Sequence, residues 1–136
     1  MRIFLDANVL FSAAHSAGAV RRFVEQLVES GHELCVDGYV VAEARRNLAT
    51  KAPAAVAALD RLLRHTSQVR DRPAAATAGE IEFLPEKDRP VLAAAIRGGC
   101  AALVTGDVAH FGRWFGKTVG GVTIHSPRSL HDTLFK

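Results

Sequence analysis

Apolar positions change their period several times along the chain, and each change marks an element. Arg2-Ile3-Phe4-Leu5 is a short run closed by Asp6 and reads as a buried strand. Asn8 to Ala14 reads as the start of a helix. From Ala19 onward, Val20, Phe23, Val24, Leu27 and Val28 recur at helical spacing, and Ser30-Gly31 stops the stripe. Glu33 to Val36 follows as a second strand. Asp37-Gly38 then turns into a helix from Tyr39 to Thr50 whose apolar side is Val40, Val41, Ala44 and Leu48. Pro53 opens another helix, in the first-turn position proline tolerates, through Val56, Leu59, Leu62 and Leu63. Gln68 to Arg70 reads as a short strand, and Asp71 to Gly79, interrupted by Pro73, as a loop. Asp88 ahead of Pro90 has the form of a capped helix start, and the helix runs through Val91, Leu92, Ala95 and Ile96 to Gly98-Gly99. Ala102 to Thr105 and Val122 to His125 complete the strands, and Ser126-Pro127 begins a closing helix.

Strands alternating with helices predict right-handed crossovers and an α/β fold in three layers, α/β/α, around a central, mainly parallel sheet. With 136 residues, 49% of them apolar, the chain is expected to form one domain, residues 1–136, with a substantial core. No apolar stretch approaches the ~20 residues of a membrane span. The opening segment meets Asp6 too soon to read as a signal peptide. Cys35 and Cys100 form no C-x-x-C pair, so a reducing, cytoplasmic setting is expected rather than a disulfide scaffold.

The candidate chemistry is acidic. Asp6 and Asp107 each follow an apolar strand, where open parallel sheets place their ligands. Glu43 lies in the apolar stretch Val40-Val41-Ala42-Glu43-Ala44, and Asp88 stands at a helix start. Carboxylates sharing a pocket repel by about 4 kcal/mol per pair at ~4 Å and an effective dielectric of ~20. A hard dication, Mg²⁺ or Mn²⁺, relieves that repulsion. Asn8, Ser12 and Thr105 are short polar side chains beside these acids and are candidates to steady them; capping and turn formation compete as explanations for Asn8. The net charge of +3 is a mild excess. Arg45, Arg46, Lys51, Arg61, Arg64, Arg89, Arg97, Arg113 and Lys117 are candidates for a basic rim that holds a polyanion around an acidic centre. The histidines show no zinc-type spacing, and His110 reads as exposed. Phe111, Trp114 and Phe115 read as core or interface aromatics.

Four segments in order, Phe4-Leu5-Asp6-Ala7-Asn8-Val9-Leu10, Val41-Ala42-Glu43, Asp88-Arg89-Pro90-Val91-Leu92-Ala93-Ala94-Ala95 and Leu103-Val104-Thr105-Gly106-Asp107, resemble the PIN-domain nucleases, most of all the VapC-like toxins of type II toxin–antitoxin systems. The resemblance implies a Mg²⁺- or Mn²⁺-dependent endoribonuclease with Asp6, Glu43, Asp88 and Asp107 as metal ligands. It also implies an RNA substrate, a cognate antitoxin and a homodimer. Ala7 stands where the family usually has a small hydroxyl residue, and Val108-Ala109-His110 brings no further acid, which together imply one metal rather than two. Two other uses of the fold compete with the toxin: a housekeeping RNA-processing nuclease, and a catalytically silent nucleic-acid-binding module. A receiver-like phospho-acceptor would want adjacent acids after the first strand, and Asp6-Ala7 does not supply them.

Overall fold

The computed structural model describes residues 1–70 and 81–135, so the expected loop from Asp71 to Gly79 lies outside the described residues. Strand β1 (Arg2–Leu5) leads into α1 (Ala7–His15) and α2 (Ala19–Glu29), then β2 (Glu33–Val36) into α3 (Gly38–Lys51). A 3₁₀ turn, Pro53–Ala55, precedes α4 (Val56–Leu63) and β3 (Thr66–Gln68). After a second 3₁₀ turn, Glu86–Asp88, come α5 (Arg89–Arg97), β4 (Ala102–Val104) and the short α6 (Val108–Phe111). A hairpin of β5 (Thr118–Val119) and β6 (Val122–His125) and the closing α7 (Pro127–Phe135) complete the chain.

The strands lie in the order β3-β2-β1-β4-β6-β5 and are parallel except for β5. The three-layer α/β/α expectation is met. Phe4 at the centre pairs with Cys35 on one side and Leu103 on the other. Strands buried on both faces read as continuous apolar runs, and Ile3, Phe4, Leu5, Leu103 and Val104 are all fully buried. Leu10, Leu27, Leu48, Leu59 and Leu92 close over them from the helices.

Three expectations are corrected. The edge strand lies at Thr66–Gln68 rather than at 68–70. The hairpin strand β5 was not expected; it returns through Gly120-Gly121, both at positive φ, in a two-residue turn closed by the Val119–Val122 pair. Asp88 occupies the residue before α5 but adopts a helical backbone, and its side chain caps nothing. Its carboxylate is thereby left for other work.

Cys35 and Cys100 are both reduced and buried. Their thiols hydrogen-bond to one another, and that bond, with burial, pushes the Cys100 thiol up. Both lie beside Arg2 at the start of β1, away from the end of that strand where Asp6 stands.

Asp37, buried after β2, caps α3 by accepting the Val40 N–H at 3.0 Å. Asp37→Ala is expected to cost about 1–2 kcal/mol through loss of that cap. A fall in the urea midpoint with an unchanged slope would check it. Because α3 carries Glu43, the cap also holds one wall of the site.

Candidate metal centre

The chain runs from β1 leftward to β2 and β3, then back to β4 and β6 on the other side. The sheet therefore reverses direction between β1 and β4, where parallel α/β sheets open a crevice. Asp6 and Asp107 follow these two strands. Asp6 extends the ladder through its N–H to the Val104 carbonyl at 3.0 Å, and its side chain caps α1 by accepting the Ala7 N–H at 2.7 Å on Oδ1. Oδ2 accepts the Thr105 hydroxyl at 2.8 Å.

Thr105 is fully buried and takes part on two sides, since its oxygen also accepts the Asp107 N–H at 3.1 Å. Asn8 ties the same two segments together. Its Oδ1 accepts the Gly106 N–H at 2.7 Å, while Nδ2 lies 3.3 Å from the Thr105 oxygen and 3.4 Å from Asp6 Oδ2. Asn8 and Thr105 thus fix the relative position of Asp6 and the β4–α6 turn. Ser12 does not join them: it is exposed one turn farther along α1, with no hydrogen bond to the acids among the described residues.

Burial raises the Asp6 carboxyl above its ordinary range; the Thr105 and Ala7 hydrogen bonds pull it back, and the charges of Glu43 and Asp107 add to the rise. Glu43, half-buried on α3, is thus near enough to act on Asp6 electrostatically. Tyr39, at the start of the same helix, reports the same gathering. Its phenol is held up by burial and then by Glu43, Asp6 and Asp88, with Arg46 opposing. The four acids named from the sequence therefore face one region, with Tyr39 at its rim.

Asp107 begins α6 and accepts the His110 N–H on Oδ1 at 3.1 Å. The His110 ring turns back over this cap. Its Nδ1 lies 2.9 Å from Asp107 Oδ2 and 3.1 Å from Asp88 Oδ2. His110 is therefore half-buried against two of the acids, which corrects the expectation of an exposed side chain. The i, i+3 spacing from Asp107 was visible in the sequence; the approach of Asp88 was not.

One ring N–H can serve only one of the two carboxylates, and its direction favours Asp107. Asp88 Oδ2 is left buried with no hydrogen-bond donor among the described residues. A buried carboxylate oxygen without a partner is costly, so the donor set fits a cation that would complete it. Asp88, Asp107 and His110 present ligand atoms that all lie within 4.8 Å of one another.

The expected basic rim is only partly in place. Arg45 pairs with Asp60 at 2.9 Å, Arg89 donates to the Leu84 and Glu82 carbonyls, and Lys51 stands over the Phe11 ring. Those cations serve the fold. Beside the acids lies a groove of about 800 Å³ between α2 and the start of α7, bordered by Gly106 and Val108 and carrying Arg22, Gln26 and Arg128. Phe111 and Trp114 pack inward, Trp114 against Phe83 with ring centroids 4.1 Å apart, which agrees with a core role.

Among solved structures, the fold is similar to VapBC2 from Rickettsia felis, solved bound to a DNA fragment from its promoter, with a TM-score of 0.69 and 17% identity over 93% of this chain and 98% of that one. PAE2754 from Pyrobaculum aerophilum gives a TM-score of 0.68 and 20% identity over 98% and 89% of the two chains. FitAcB from Neisseria gonorrhoeae gives 0.58 and 20% identity over 93% and 98%. No curated protein sequence matches. The PIN-domain family model matches residues 2–109, a span that includes all four acids. The chain belongs to the PIN-domain family.

Proposed function

We propose that the protein is a divalent-metal-dependent endoribonuclease and the toxin of a toxin–antitoxin pair. The observation that carries the reading is the convergence of Asp6, Glu43, Asp88 and Asp107 at the β1–β4 crevice, with a buried oxygen of Asp88 that has no hydrogen-bond partner among the described residues. Asp6 and Asp107 would hold the cation directly, with Asp88 beside them and Glu43 across the crevice. When bound, Mg²⁺ or Mn²⁺ supplies a water of lowered pKa and positive charge against the leaving oxygen.

The protein's own contribution is placement. Thr105 and Asn8 hold Asp6 and the Asp107 turn in register, so the carboxylates need little rearrangement to act together. Glu43, half-buried on α3 and close enough to Asp6 to act on it electrostatically, would orient an attacking water. Arg22 and Arg128 in the adjoining groove suit phosphates flanking the cleaved bond. RNA as the substrate follows from the family's nucleases. An antitoxin partner is supported by relatives of this fold that were solved as VapBC complexes. In that setting the protein would act in the cytoplasm, and no helix among the described residues is long and apolar enough to cross a membrane.

The test is cleavage of a structured RNA by the purified protein with Mg²⁺ or Mn²⁺. EDTA should abolish cleavage and an excess of either cation restore it. Cleavage that survives metal stripping would instead point to acid–base chemistry by histidines and end this reading.

A further inference from the structure

We propose that His110 is a nitrogen ligand of the cation site and biases it toward Mn²⁺ over Mg²⁺. The inference rests on the metal-dependent reading above and assigns to this chain a ligand outside the four acids. Adjacent ligands of an octahedral ion with bonds of ~2.1 Å lie about 3.0 Å apart. The two separations from His110 Nδ1, 2.9 Å to Asp107 and 3.1 Å to Asp88, match that spacing. The third corner is Asp88 Oδ2, buried and, among the described residues, without a hydrogen-bond partner.

The ring is held in place by its own turn. Asp107 Oδ1 binds the His110 backbone N–H, and the next residue, Phe111, is anchored in the core. Nδ1 can donate to Asp107 in one tautomer; with the proton on Nε2 it presents a lone pair to the same point. Imidazole suits transition ions, whereas Mg²⁺ is bound through carboxylates and its retained waters. A mixed nitrogen and oxygen set therefore raises affinity for Mn²⁺ far more than for Mg²⁺. If His110 merely props Asp107 through a hydrogen bond, its replacement should affect both ions alike.

The experiment is calorimetric titration of the wild type, His110→Gln and His110→Ala with Mn²⁺ and with Mg²⁺. Circular dichroism checks that each variant is folded, and Gln retains most of the volume and hydrogen-bonding capacity of the ring. The wild type is expected to bind Mn²⁺ at least tenfold more tightly than Mg²⁺. Both variants should lose roughly tenfold or more in Mn²⁺ affinity and less than about threefold in Mg²⁺ affinity. Pulsed electron paramagnetic resonance of the Mn²⁺-loaded wild type should show a directly coordinated nitrogen that disappears in His110→Gln. Equal losses for the two ions, or a nitrogen signal absent from the wild type or unchanged in the variant, would overturn the assignment. Wild-type protein that binds neither ion would defeat the metal-dependent reading itself. Binding of both at a ratio the variants leave unchanged would defeat only the histidine ligand.

Discussion

Asp6→Asn is expected to lower RNA cleavage by about 10³-fold, roughly 4 kcal/mol of transition-state stabilisation, while making the metal-free protein more stable. The two effects share one cause. Asp6 is among the most enclosed of the acids, and burial holds its carboxyl above the ordinary range, with Glu43 and Asp107 adding to the rise. A carboxyl raised on folding binds its proton more tightly folded than unfolded. Stability is therefore highest below the unfolded pKa, falls as pH climbs through the folded one, and stays reduced above it. Asparagine removes the charge and with it that penalty. Its Oδ1 can still accept the Ala7 N–H, and its amide can donate to Thr105 Oγ1 once that hydroxyl turns, while the long 3.4 Å contact from Asn8 Nδ2 is given up. Each kcal/mol recovered would raise the melting temperature by about 4 °C for a chain of this size.

Thermal unfolding of both proteins in EDTA, from about pH 4 to 8, bracketing the ordinary carboxylate range and neutrality, checks the claim. The gap should be widest near neutrality and close on acidification, as the wild-type carboxyl takes up its proton. A variant less stable than the wild type at neutral pH would show that the hydrogen bonds of Asp6 outweigh its burial. Added Mn²⁺ should reverse the order, because only the wild type would gain the full binding free energy.

That trade explains which parts of the molecule could be read from the sequence. Strands β1 and β2 fall where the apolar runs place them, because strands covered on both faces carry uninterrupted apolar residues, and β6 follows the alternation of Val122 and Ile124 with Thr123 and His125. Strand β3 was displaced because Thr66-Ser67-Gln68 is polar and lies at the sheet edge, with no burial pattern to fix its register. Strand β5 has only two residues, but Gly120-Gly121 between apolar neighbours was the available hairpin signal.

The acids after β1 and β4 were legible for the reason Asp6 is costly: a charge placed where the pattern demands an apolar residue calls for an explanation. His110 offered no such conflict. A histidine in the first turn of a short helix is ordinary, and its contact with Asp88 exists only because the start of α5 packs against that turn, 22 residues away in the chain. Ser12 failed for the opposite reason. Helical spacing placed it one turn from Asn8, but the acids gather at the beginning of α1, and a full turn carries Ser12 beyond them.

Phe111→Ala is expected to be the most damaging single truncation near the site, costing about 3–5 kcal/mol of a total stability of about 5–15 kcal/mol. Phe111 is fully buried and ends α6, a helix of four residues. A helix that short cannot sustain itself, since its nucleation cost is not recovered by propagation. Within the helix itself, the Asp107 cap on the His110 N–H holds one end and the Phe111 ring in the core holds the other. Removal of the ring leaves a cavity and releases the end of the turn opposite the cap. Because Asp107 and His110 occupy that same turn, cation affinity should fall along with stability, at temperatures where the variant is still folded. Phe111→Leu refills most of the space and should cost less than about 1.5 kcal/mol. Urea unfolding and Mn²⁺ titration of the two variants separate the effects. A destabilised Phe111→Ala protein with wild-type Mn²⁺ affinity would mean that the polar contacts of the turn position the ligands without the ring. Parallel losses would show that the hydrophobic core, through one aromatic ring, sets the geometry of the metal centre.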